Sequence, residues 1–185
     1  GWRYVGVNIE AADQQALADF IAKEALSNCS SIYLNQLGNA GVGADVTVCV
    51  NVLHALDNKQ IDDLLKIISR VSKSNGTIVL HDMAIPNAGE PNFLSWDAQM
   101  ASDMLDDWCV NIQGRNFETK QGVKLWTVTA QKNSGFSFSM PKLEAALKGR
   151  KSRILAMRAK TNVPDERTVL SELNANLDER LAKMP

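Results

Sequence analysis

The chain is 185 residues long, with 45% apolar and 22% charged residues, an ordinary globular composition that allows a sizeable core. Twenty basic against twenty-one acidic side chains give a formal net charge of -1, which excludes the electrostatic footprint of a non-specific nucleic-acid or membrane-surface binder. No apolar run approaches the roughly 20 residues that span a bilayer, and the first residues lack the basic-then-apolar pattern of a secretion signal, so a cytoplasmic protein is expected. Cys29, Cys49 and Cys109 are odd in number and widely spaced, and His54 and His81 are the only histidines. That set fits neither a disulfide framework nor a zinc site, and the cysteines read as buried free thiols.

In chain order, residues 3–9 are rich in β-formers and run into residues 11–26, where Leu17, Phe20, Ile21 and Ala25 recur at helical spacing. Residues 31–37 predict a second strand, and the Gly-rich run 38–43 a loop. Residues 45–50, Asp-Val-Thr-Val-Cys-Val, predict a parallel strand buried on both faces. Asp57 can cap a helix over 58–72, whose Ile61, Leu64, Leu65, Ile68 and Val71 form one apolar face. Ser74-Asn75-Gly76 supplies a turn, and residues 77–80 form another buried strand that ends at His81 and Asp82. Strand, helix and strand in this register make a βαβ unit.

Residues 84–92 read as a surface loop and 95–108 as a helix carrying Trp96, Met100, Met104 and Leu105. Residues 110–117 and 123–131 are β-rich runs joined by the turn 120–122, hence an antiparallel hairpin. From Pro141 the sequence is helical and charged, with a start signal at 162–164 and Leu173, Leu177 and Leu181 four residues apart. Residues 133–139 divide an α/β part, 1–132, from a helical extension, 141–185. The predicted fold is α/β: a Rossmann-like, doubly wound, mostly parallel sheet ending in an antiparallel hairpin, with a C-terminal helical tail. The basic run 148–153 reads either as a phosphate contact or as a solvated helix face.

The stretch from Ala44 to Asp57, which contains Asn51-Val-Leu-His-Ala55, then a helix, then Asn75-Gly-Thr-Ile-Val-Leu-His-Asp82, resembles the central portion of class I S-adenosylmethionine-dependent methyltransferases. The hairpin that follows is similar to the antiparallel pair that ends that family's sheet. By the same likeness residues 4–9 match the family's second strand and 32–39 its third, so the resemblance spans residues 3–131.

The resemblance implies S-adenosylmethionine as cofactor and assigns residues to it. The position of the ribose-binding carboxylate falls on Asn8, with Glu10 two residues later as a substitute; a first-turn helix residue is the other reading of Glu10. Asn39 stands near the adenine-contacting position, where a turn residue is the other reading. The turn that faces the methyl group falls on Asn51, Val52, Leu53 and His54. His54 and Asp82 are the candidate catalytic residues, one to deprotonate an acceptor and one to orient it; helix packing and loop capping are their structural readings. Trp96, Trp108, Met100 and Met104 belong either to an acceptor pocket or to the core.

The family's first strand and its glycine-rich turn have no counterpart before Tyr4. That strand lies mid-sheet, so an upstream segment or a partner chain is expected to supply it, the chain reading as a fragment whose Gly1-Trp2 begins almost inside a strand. The expected function is methylation of a small-molecule or carrier-bound acceptor, since the Asn-Val-Leu-His-Ala turn resembles methyltransferase domains of polyketide-type assembly lines. The alternative is a non-catalytic pseudo-methyltransferase serving as a scaffold or dimerisation domain.

Overall fold

The computed structural model describes residues 3–8, 11–33, 43–85 and 93–184. The chain divides into two compact units, residues 1–43 and 44–185. In the first, β1 (Tyr4–Asn8) pairs in parallel with β2 (Cys29–Tyr33), and α1 (Ala11–Lys23) connects them. The second strand thus starts two residues before its predicted start at 31, and residues 34–37 lie outside the described residues.

The second unit runs β3 (Ala44–Val50), a 3-10 turn (Leu53–Ala55), α2 (Asn58–Val71), β4 (Ser72–Met83), α3 (Ala98–Leu105), β5 (Cys109–Glu118), β6 (Lys124–Lys132), α4 (Met140–Lys160) and α5 (Pro164–Ala182). Its sheet has the order β3-β4-β6-β5, the first pair parallel and the other two antiparallel. This is an α/β fold of the Rossmann-like type, with a closing antiparallel hairpin and C-terminal helices.

Local chemistry explains the boundaries. Asp57 and Gln60 form a reciprocal capping box at the start of α2, each side chain accepting the other's backbone N–H at 2.8 Å. Ile61, Leu65 and Ile68 are the buried stripe of α2. At its far end Lys132 Nζ donates to the carbonyls of Ser69 (2.5 Å) and Ser72 (2.9 Å), which a helix terminus leaves without partners. The predicted turn at 74–76 lies inside β4, because Ala44 pairs with Ser72 but Val46 with Thr77, so residues 73–76 bulge from the ladder. Asn75 takes a positive φ of 64° there, and a Cβ on Gly76 would meet the carbonyl oxygens of Lys73 and Ala44 at 2.9 and 3.0 Å.

Register decides what is buried. Cys49, Leu80 and Val128 are in-register neighbours, as are Thr47, Ile78 and Ala130, so their side chains share one sheet face. That face meets the core that also holds Leu53, Met100, Met104, Leu143 and Leu173. The opposite face differs from expectation. Val46, Val48 and Val50 are 45%, 53% and 47% exposed, so β3 is not buried on both faces. Among the described residues it is an end strand of its sheet, and its apolar run is covered on only one side.

The helix expected over 95–108 is shorter, Ala98–Leu105. Asp97 stops it from starting earlier by capping Met100 N–H at 2.8 Å with extended backbone of its own. Trp96 is therefore buried ahead of the helix rather than on it. Beneath α3, Gly114 of β5 permits close approach: a Cβ there would lie 2.9 Å from Ser102 Oγ and 3.1 Å from Ala98 Cβ. Gly114→Val is expected to cost about 1–3 kcal/mol by overpacking, read as a lower denaturation midpoint. An unchanged midpoint would mean that α3 can move off the sheet at no cost.

Candidate active site

The turn after β3 and the end of β4 lie at adjacent carboxyl edges of parallel strands, the edge at which open α/β sheets bind ligands. Asn51 leaves β3 with a φ of 54°, a left-handed backbone that Asn tolerates, and its N–H donates to the carbonyl of His81 at 3.0 Å. Val52 follows, and its carbonyl accepts Ala55 N–H at 3.2 Å to close the 3-10 turn. The turn presents His54 directly to Asp82. His54 Nδ1 lies 2.6 Å from Asp82 Oδ1, and His54 backbone N–H donates to Asp82 Oδ2 at 3.2 Å.

Asp82 is wholly buried and takes a further bond from its neighbour's N–H, Met83, at 2.7 Å. The His54 side chain keeps 15% of its surface exposed. It stacks on Phe93, with ring centroids 4.8 Å apart and planes 20° from parallel, and its carbonyl accepts Leu94 N–H at 2.8 Å. A buried carboxylate on one imidazole nitrogen fixes the ring's orientation and tautomer, the arrangement that suits a histidine to moving a proton. The same carboxylate also ties the 3-10 turn to the sheet, so the catalytic and the capping readings of Asp82 refer to one set of bonds.

Cys49 lies on the same sheet face beneath this pair. Burial, aided by the charge of Asp82, pushes its thiol up to about 12, so it stays protonated and unreactive. Burial likewise pushes Cys109 up to about 12. All three cysteines are free thiols; Cys109 is buried, whereas Cys29 and Cys49 are only half-buried.

The other sequence-predicted residues are placed as follows. Asn8 ends β1 opposite Tyr33, in the first unit. Glu10 and Asn39 lie outside the described residues. Met100, Met104, Trp96 and Trp108 are core residues. The basic run 148–153 is not a solvated face at its centre: Arg150 is buried and Arg153 joins it in binding Asp97. Phe93, which completes the histidine's surroundings, escaped sequence reading because it follows a Pro- and Gly-rich stretch that signals only loop.

The topology is that of a class I methyltransferase fold. No family model and no curated protein matches the chain. Solved structures do: the [4+2]-cyclase SpnF has a TM-score of 0.57 at 12% identity, over 72% of this chain and 67% of that one. TehB from Haemophilus influenzae has a TM-score of 0.54 at 16% identity, over 72% of this chain and 51% of TehB. The N-methyltransferase NodS from Bradyrhizobium japonicum WM9, in complex with S-adenosyl-l-homocysteine, has a TM-score of 0.54 at 11% identity, over 70% of this chain and 66% of NodS. No helix among the described residues is long and apolar enough to cross a membrane.

Proposed function

We propose that residues 1–132 are an S-adenosylmethionine-dependent methyltransferase domain acting in the cytoplasm on a small-molecule or carrier-bound acceptor, with residues 141–185 as its helical extension. The observation that carries this reading is the His54–Asp82 pair, 2.6 Å apart at the carboxyl edge of β3 and β4, in a fold shared with a methyltransferase that holds S-adenosyl-l-homocysteine. His54 takes the acceptor's proton and Asp82 holds the ring; Asn51 and Val52 face the reacting group, and Asn8, Glu10 and Asn39 contact the cofactor.

The described residues do not by themselves make the backbone cradle the cofactor needs. Among them no glycine stands at the carboxyl end of a parallel strand ahead of a helix: Gly6 is inside β1, Gly76 in the bulge at the opposite edge, Gly114 inside β5 and Gly122 in the hairpin turn. An upstream segment or a partner chain supplies the missing strand, and the edge of β3, an end strand among the described residues, is where it pairs. Asn8 in place of a carboxylate favours a second reading, a non-catalytic scaffold. The fold is also that of a [4+2]-cyclase, so it does not assign the reaction.

Calorimetric titration of S-adenosylmethionine and S-adenosylhomocysteine separates the readings. Micromolar binding that emerges only once the upstream segment or partner is restored is the expected result. Absence of binding in both forms would overturn the enzyme and leave the scaffold.

A further inference from the structure

Residues 93–97 belong to no helix or strand, yet all five are buried. Buried backbone must find partners, and here much of the binding comes from side chains of the two C-terminal helices. Asn176 of α5 donates to the carbonyl of Phe93 at 3.2 Å. Arg150 of α4 donates through Nε to the carbonyl of Ser95 (3.3 Å) and through Nη2 to Ser95 Oγ (2.7 Å) and the carbonyl of Ala84 (3.1 Å). Its Nη1 reaches Asp97 Oδ2 at 2.9 Å, while Ser95 Oγ itself donates to the carbonyl of Ala84 at 2.6 Å.

One guanidinium therefore binds both Ala84, just past the end of β4, and Ser95 and Asp97. The first residue of the buried stretch, Phe93, is the ring stacked on His54, and the second, Leu94, bonds the His54 carbonyl. From these contacts we infer that Arg150 and Asn176 are positioning residues for His54, so that the helical extension sets the geometry of the site through residues 93–97. The inference rests on the reading of His54 as the proton-handling group.

The test is proton NMR of the two histidine rings in the full 185-residue chain, His54 being identified by the signals that vanish in His54→Gln. Arg150→Lys keeps the charge but loses the planar fork. Asn176→Ala, on a partly exposed face, keeps the question answerable where Arg150→Lys fails to fold. In each folded variant the His54 ring protons are expected to lose the upfield shift that Phe93 imposes. His81, stacked on Phe117 on the other sheet face, is expected to keep its positions. His54 signals that coincide with the wild type, or His81 signals that move equally, would overturn the positioning role whatever the cofactor titration gives. A displaced His54 with no cofactor binding even when the upstream segment or partner is restored would instead leave the positioning role standing and remove the methyltransferase.

Discussion

Asp97→Ala is expected to lower the unfolding free energy by about 3–5 kcal/mol, the cost of removing one partner from a buried ion pair. Asp97 and Arg150 both have side chains only 4% exposed, with Arg150 Nη1 at 2.9 Å from the carboxylate. Arg153 adds Nε and Nη2 bonds at 2.5 and 2.8 Å, and Met100 N–H is capped by the same carboxylate. Truncation leaves a guanidinium uncompensated in the core and uncaps α3 at once. Chemical denaturation measures the loss; a cost below about 1 kcal/mol would place the group in a solvated setting, where ion pairs are worth little.

The same carboxylate makes stability depend on pH. Burial by itself raises its pKa, but the hydrogen bond from Arg153, the charge of Arg150 and the Met100 amide outweigh that and hold it below the usual carboxylate range. A folded pKa below the unfolded value of about 3.9 means the contribution is complete above about pH 4 and is lost as pH falls through the folded pKa. Wild type should therefore lose more stability than Asp97→Asn between about pH 4 and pH 2. Parallel acid-side slopes for the two proteins would contradict the assignment.

The sheet and its helices were legible because their signals are local. The α2 stripe, its Asp57 cap and the hairpin over 109–132 all carry their periodicity or turn chemistry in adjacent residues. The His54–Asp82 pair was legible only as two ends of neighbouring strands, since nothing in sequence says that a turn residue and a strand terminus 28 positions apart will meet. The Arg150 network was not legible at all. Within a run of basic residues one guanidinium looks like the next, and only the partners at Ala84, Ser95 and Asp97, at least 53 positions away, make this one buried. The exposure of Val46, Val48 and Val50 has the same origin: composition reports that a strand is apolar, and the neighbours on each side decide which faces are covered.

Asp82→Asn tests the chemistry of the site at the level of a single proton. In the wild type Nδ1–H donates to Asp82 Oδ1 at 2.6 Å, which leaves Nε2 as the basic atom of the imidazole. Met83 N–H already donates to Oδ1 and His54 N–H to Oδ2, so both carboxylate oxygens act as acceptors. An amide keeps one acceptor oxygen and turns the other position into a donor. With its NH₂ toward the ring, the amide forces Nδ1 to accept and moves the ring proton to Nε2, which removes the base. Long-range proton–nitrogen spectra of the two histidines are expected to show His54 change tautomer while His81 does not. Stability should fall by about 1–3 kcal/mol, since a backbone N–H loses its acceptor in a buried site. Turnover of any acceptor whose proton His54 removes should fall by about 100- to 10,000-fold, the range that general-base catalysis supplies, with S-adenosylhomocysteine affinity unaltered. A variant that changes tautomer and still turns over at the wild-type rate would show that His54 does not act as the base, and would reduce the pair to a clamp holding the 3-10 turn on the sheet.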